Sequence, residues 1–293
     1  MNLIISIILL LVLLPIQGFA ADQGRIIFST AYSGKWDLWS VGPDGKNLRQ
    51  VTDTNDDEHS PAVSPDGKEI LFIDAKRALW IMNSDGSNRV KMPVPLGFYA
   101  QPTWAPGGDV TAFVKYMVTP TDESELWTIK RRKSQWTDLE RISEFPPMRL
   151  YPSFSPDGTM LAYTQFRRDK VVDVVEEIGI LVLGERKFKA ITNANADSFK
   201  PVWSPDGKQI AYTSNKAGNY DIWILSLRDG KERRLTRHPG YDGEPTWSPK
   251  GDEIAFVSTR SGNKELWVVS VAGGQLRQLT RLKNTVKEPF WIK

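Results

Sequence analysis

The sequence predicts an all-β fold, a six-bladed β-propeller built of four-stranded antiparallel blades. Three observations carry this. A turn of the Ser-Pro-Asp-Gly type recurs along the chain, the spacing across each repeat junction is constant, and the carboxyl terminus restarts the repeat but stops after one strand. Self-similarity at a period of about 40–50 residues, with strand-like alternation inside each period, is the pattern of a radial array of small sheets.

The recurring turn is Ser64-Pro65-Asp66-Gly67, which returns as Ala105-Pro106-Gly107-Gly108, Ser155-Pro156-Asp157-Gly158, Ser204-Pro205-Asp206-Gly207 and Ser248-Pro249-Lys250-Gly251. Proline pre-sets the second position of a type I turn and glycine suits the fourth. An apolar residue stands before each turn: Val63, Trp104, Phe154, Trp203 and Trp247. After it comes an alternating run such as Ile254-Ala255-Phe256-Val257, then a polar loop. A second run follows around Trp39, Trp80, Trp127, Ile180, Trp223 or Trp267. Alternation with period two reads as strand. The dipeptides Asp44-Gly45, Asp85-Gly86, Asp229-Gly230 and Gly273-Gly274 come next and favour two-residue hairpins. A fourth strand ends at Val51-Thr52, Met92-Pro93, Ile142-Ser143, Ile191-Thr192, Leu235-Thr236 or Leu279-Thr280.

From the apolar residue of each of these pairs to that of the next first strand is twelve residues in all six cases. The sixth step lands on Trp291, inside Lys287-Glu288-Pro289-Phe290-Trp291-Ile292, which parallels Gly243-Glu244-Pro245-Thr246-Trp247-Ser248. The carboxyl terminus thus supplies a lone first strand. Its three partners lie at the other end of the chain, in residues 26–29, 36–41 and 48–52. One blade shared between the termini closes the ring, removes the exposed strand edges at the seam and is expected to cover Trp267 and Trp291. Aromatic and aliphatic side chains are expected to fill the layers between blades.

Residues 3–14 are apolar except for Ser6, and small residues end the segment at Ala20. That is the form of an export signal, with cleavage expected after Ala20. The organisation read from the sequence is therefore a signal peptide at 1–20 and a single domain at 21–293, in the periplasm or secreted. An uncleaved anchor is the competing reading.

Composition narrows the chemistry. The absence of cysteine among 293 residues removes disulfide scaffolds and thiolate sites, and two histidines cannot make a three-His metal site. Thirty-eight basic against 35 acidic residues give a net charge of +3, scattered rather than gathered into a stripe for nucleic acid. There is no Gly-x-Gly fingerprint, P-loop, nucleophile elbow or His-Glu-x-x-His. These absences disfavour an enzyme.

Candidate site residues come from the geometry of propellers, where the loops into the first strand surround the mouth of the central channel. The residue before each first-strand proline is Ser60, Gln101, Tyr151, Lys200, Glu244 or Glu288. With His59 and Asp57 beside them, these residues form the expected binding funnel, and no residue is assigned a catalytic role. Glu244 and Glu288 fall on neighbouring blades, and paired carboxylates can act on sugars. The alternative function is accordingly a carbohydrate-active lyase or hydrolase using both glutamates with Tyr151, Lys200 and His59.

The loop Asp53-Thr54-Asn55-Asp56-Asp57-Glu58 has oxygen ligands at alternate positions, as calcium loops do, and Asn193-Ala194-Asn195-Ala196-Asp197 is its counterpart. The first lacks glycine at its sixth position and has Ser64 at its twelfth. Turn capping explains the same letters, so no cofactor is expected and calcium is the second choice. His59 and His238 read as polar loop residues. Longer loops at 117–124 and 167–177 are expected to build a wall beside the funnel.

The motifs Glu244-Pro245-Thr246-Trp247-Ser248-Pro249, Asp221-Ile222-Trp223 and Arg233-Arg234-Leu235-Thr236 resemble the TolB-like β-propeller repeat. The resemblance extends over residues 25–293. In that family the propeller follows an amino-terminal α/β domain, sits in the periplasm and contacts the peptidoglycan-associated lipoprotein. The resemblance implies an exported envelope binding or scaffold module that recognises a protein partner, such as that lipoprotein, through the funnel face. This chain is expected to carry the propeller without the α/β domain.

Overall fold

The computed structural model describes residues 24–117, 124–143, 147–167, 174–192 and 196–292. The expected export signal lies outside the described residues, as do 118–123 and 168–173 of the two long loops and 193–195 of the second candidate calcium loop.

Twenty-four strands form six four-stranded antiparallel sheets. Blade one holds β1 (Arg25–Thr30), β2 (Asp37–Val41) and β3 (Arg49–Gln50). Blade two holds β4 (Glu58–Val63), β5 (Glu69–Asp74), β6 (Leu79–Asn83) and β7 (Val90–Lys91). Blade three is β8 (Phe98–Trp104), β9 (Val110–Tyr116), β10 (Ser124–Arg132) and β11 (Gln135–Arg141). Blade four is β12 (Arg149–Phe154), β13 (Met160–Arg167), β14 (Val175–Val182) and β15 (Lys187–Ala190). Blade five is β16 (Ser198–Trp203), β17 (Gln209–Ser214), β18 (Asp221–Ser226) and β19 (Glu232–Arg234). Blade six is β20 (Asp242–Trp247), β21 (Glu253–Ser258), β22 (Glu265–Ser270) and β23 (Leu276–Gln278). The last strand, β24 (Val286–Ile292), returns to blade one and pairs with β1, Arg25 opposite Ile292 and Ile26 opposite Trp291. The ring is closed by the two ends of the chain, as the interrupted repeat predicts.

A lone four-stranded sheet has nothing to cover its faces, so the core is divided into six apolar clusters, one at each junction between blades. Ile26, Phe28, Leu266, Val268, Val286 and Trp291 belong to the cluster joining blades six and one. Trp267 departs from expectation. It packs with Ile222, Ile224 and Trp247 at the junction of blades five and six, under the Arg260 guanidinium, and owes its cover to that junction rather than to closure.

The turns explain the repeated letters. In Ser64-Pro65-Asp66-Gly67 the Gly67 N–H donates to the Ser64 carbonyl at 2.8 Å, and Gly67 sits at φ +73°. The Ser64 hydroxyl accepts from the Glu69 N–H at 2.9 Å and bonds Asp66 at 2.7 Å, which locks the turn to the following strand. The outer hairpins differ from the two-residue form that the sequence suggests. Gly42 N–H donates to Lys46 O and Asn83 N–H to Ser87 O, so these loops have three residues; Ser226 to Lys231 and Ser270 to Gln275 enclose four. The Asp-Gly aspartates stay in ordinary backbone conformations and only the glycines take positive φ, the arrangement of a type I turn closed by a left-handed residue.

The threonine or serine ending the fourth strand also has a structural task. Its hydroxyl accepts the backbone N–H that opens the third strand: Leu38 to Thr52, Leu126 to Ser143, Ile178 to Thr192, Ile222 to Thr236 and Leu266 to Thr280. These groups are buried, so a lost partner costs about 1–3 kcal/mol. Thr280→Val, which keeps the shape and removes the hydroxyl, is expected to lower unfolding free energy by about that amount in urea titration.

Candidate functional site

The six innermost strands share one irregularity. Ser60, Gln101, Tyr151, Lys200, Glu244 and Glu288 all take left-handed backbone conformations, with φ between +50° and +59°. Each precedes a proline, and in all six blades the ladder slips at this point, as between His59 and Ala62 in blade two. The proline has no N–H to give the ladder, and a bulge takes it off the ladder.

The twist turns the N–H of the preceding residue toward the neighbouring blade. Tyr151 N–H donates to Gln101 Oε1 at 2.7 Å, Lys200 N–H to Thr164 Oγ1 at 3.1 Å, and Glu244 N–H to Thr213 Oγ1 at 3.0 Å. Glu288 N–H donates to Glu244 Oε2 at 2.6 Å and Ser60 N–H to Glu288 Oε2 at 2.7 Å. In all five cases the acceptor belongs to the blade before. The funnel residues thus stitch blade to blade.

Sequence reasoning placed these six residues around one opening, and the structure puts them there. They line a cavity of about 150 Å³ together with Pro61, Pro102, Pro152, Pro201, Pro245 and Pro289. A larger cavity of about 650 Å³ lies under the opposite, turn-bearing face among Trp104, Trp203, Trp247 and Trp291. The first three of these indoles already donate to carbonyls of neighbouring blades at 3.0–3.1 Å.

The two glutamates are engaged rather than free. Lys200 Nζ lies 2.8 Å from Glu244 Oε2, with 17% and 8% of the respective side chains exposed. Burial opposes the Lys200 charge, but Glu244, Tyr151 and Glu288 outweigh it and raise its pKa. Glu288 accepts from the Ser60 N–H, the Ser60 hydroxyl at 2.9 Å and the Ser29 hydroxyl at 3.1 Å. Burial would raise its carboxyl, yet Lys287, Lys200 and these donors hold it below the usual carboxylate range. A general acid needs the opposite shift.

Asp57 accepts the Trp36 N–H at 2.9 Å and so holds the loop between β1 and β2. In the same acidic loop Glu58, fully buried, pairs with Arg89 at 2.7 Å. Each of these carboxylates has one oxygen held by a protein donor. Among the described residues no three His, Asp or Glu side chains converge as metal ligands. His59 and Asp57 are not among the residues that line the cavity; the His59 ring lies 5.4 Å from that of Trp36. His238 instead accepts the Gly240 N–H on Nδ1 at 3.0 Å within its own loop.

The structure adds a rim of aromatic rings that the sequence reading missed. Phe199 meets Tyr220 at 5.5 Å, Tyr220 meets Tyr241 at 5.9 Å, and Lys264 Nζ lies 4.7 Å from the Tyr241 ring centre. Lys200 lies over Tyr151 at 5.0 Å and Lys287 over Trp36 at 4.0 Å. Tyr220, Trp36 and Lys264 each come directly before the third strand of a blade. Aligning that position across repeats was the available signal. Beside them Glu176, pushed up to about 7 by burial and by the Asp197 charge, faces Lys200. Asp197 itself accepts from Tyr220 Oη at 3.1 Å and Asn215 Nδ2 at 3.2 Å.

Comparisons with known proteins agree with the ring. Residues 111–293 match the family model described as TolB beta propeller domain. A Protein TolB homolog from Chlorobium luteolum is 29% identical over 146 residues, which are 49% of this chain and 32% of that protein. The chain thus spans about a third of the length of this relative. Among solved structures, TolB from Acinetobacter baumannii superposes with a TM-score of 0.79 at 22% identity, covering 92% of this chain and 66% of that one. A putative TolB from Agrobacterium tumefaciens gives 0.71 at 20% identity and covers 88% of both chains. At these identities the likeness is one of fold. With six blades closed by their own termini and a family match over more than half its length, the chain belongs to the TolB beta propeller domain family.

Proposed function

We propose that this propeller is a binding or scaffold module of the bacterial envelope, exported to the periplasm, and that it recognises a protein partner through the channel mouth. The observation that carries this reading is the aromatic and cationic rim around a narrow opening. Tyr and Trp at a rigid, concave centre are the composition of protein-binding hot spots. Small-molecule pockets usually hold about 300–1,000 Å³. At about 150 Å³ the cavity admits a side chain, while the larger surface on offer is the rim. A lipoprotein of the peptidoglycan-associated kind is the partner that the family relationship favours. The carbohydrate-active alternative is weakened by the engagement of Glu244 and Glu288 in bonds between blades.

Site-specific photo-crosslinking tests this. A crosslinking residue at Tyr220 is expected to capture one defined envelope protein. The same residue at Val90, exposed on the outermost strand of blade two, is expected not to. Equal capture from both positions overturns the proposal. So does oligosaccharide cleavage that Glu288→Gln abolishes.

A further inference from the structure

At the seam of blades one and two the rim carries cationic side chains whose hydrogen-bond donors are left open. Lys287 lies with its ammonium 4.0 Å from the Trp36 ring centre, and Trp36 leans on His59 at 5.4 Å. Arg77, in a left-handed conformation in the loop between β5 and β6, brings a second cation whose charge acts on both His59 and Lys287. Among the described residues neither Lys287 nor Arg77 has an ion-pair or side-chain hydrogen-bond partner. The carboxylates close by are already committed: Glu288 to Ser60 and Ser29, Asp57 to the Trp36 N–H, and Glu58 to Arg89. His59 Nδ1 is buried with no hydrogen-bond partner. Lys287 feels the Glu288 charge, yet the N–H donors of Lys287 and Arg77 are not engaged by any acceptor among the described residues, so beside the Trp36 ring an incoming anion gains charge-assisted bonds.

We propose that Lys287, Arg77 and His59, backed by Trp36, form a receptor for one carboxylate, carried on an acidic side chain of the protein partner. This rests on the partner-binding reading above and gives it a chemical anchor. It also carries a pH dependence. Burial and the Lys287 charge hold the His59 pKa low, with Arg77 adding to them and Glu288 and Asp57 opposing. A bound carboxylate favours the protonated ring, so affinity is expected to rise as pH falls below about 6.5, the ordinary histidine value, toward the lower pKa of the free ring.

The probe is N-acetylglutamate, titrated against the whole ¹⁵N-labelled chain while the Trp36 indole resonance, assigned with Trp36→Phe, is followed. Saturable movement is expected, with neutral N-acetylglutamine inert. Lys287→Met and Arg77→Gln should each weaken binding about tenfold, the scale of one charge-assisted hydrogen bond. His59→Gln should remove the pH dependence. No response, or equal responses to acid and amide, overturns the receptor. A response to glucuronate but not to N-acetylglutamate overturns the assignment to a protein side chain. Tyr220 crosslinking that persists in Lys287→Met at unchanged yield refutes the receptor and leaves partner binding standing. A Trp36 response without any crosslinked partner does the reverse.

Discussion

A chain shortened by residues 288–293 is expected to melt more than about 10 °C below the full protein, or not to fold at all. The loss removes most of β24 and its pairing with β1, and with it Trp291 and Ile292, which are 8% and 5% exposed. Removing a buried tryptophan costs about 3–5 kcal/mol, a large share of the stability of an ordinary domain at about 5–15 kcal/mol. The damage extends further, because Ile26, Phe28, Leu266 and Val268 lose their cover and β1 becomes an open edge. Thermal melting followed by circular dichroism measures it. Full-length Glu288→Gln serves as the control, since it keeps the strand and alters only the carboxylate. A melting curve unchanged by the truncation would show that ring closure contributes nothing to stability.

The second large effect is expected from Glu244→Ala. This carboxylate is the counter-ion of Lys200 and the acceptor of the Glu288 N–H, and it is 7% exposed. Its removal leaves an ammonium and an amide unpaired in the channel wall, a change that costs about 3–5 kcal/mol. Denaturant titration should show that loss, while the double variant Lys200→Met with Glu244→Gln, which removes the orphaned charge and keeps an acceptor, should recover most of it. Equal destabilisation by the single and double variants would refute the pairing argument. The neighbouring Glu288 adds a pH signature. Its folded pKa lies below the unfolded value, so its contribution is present above the ordinary glutamate pKa of about 4.3 and disappears as pH falls through the lower folded value. Glu288→Gln is expected to flatten that part of the acid limb.

Much of this molecule can be read from its letters, for definable reasons. The Ser-Pro-Asp-Gly turns and the twelve-residue step are local, so they determine blade number and the shared blade without knowledge of any contact between blades. The ring from Ser60 to Glu288 was legible because each member precedes a proline at the same repeat position. The direction of its N–H groups was not, since nothing in a Glu-Pro dipeptide announces φ near +56° at Glu288. The same blindness made Glu244 and Glu288 look like an acid-base pair, although each carboxylate accepts an amide from the next blade. The hairpins misled on a smaller scale: Asp-Gly is compatible with two-, three- and four-residue loops, and strand twist decides among them. The aromatic rim escaped because its members come from loops of different blades, such as those of Tyr220 and Tyr241, which meet only when the blades pack side by side.

The seam where Arg25 lies opposite Ile292 also fixes how the body hangs in space. Arg25 and Ile292 lie beside each other on the floor carrying the tight corners, away from the tyrosine-lined crown. A tag, tether or extra module joined directly at Arg25 or Ile292 therefore suspends the wheel from beneath and leaves its crown facing outward.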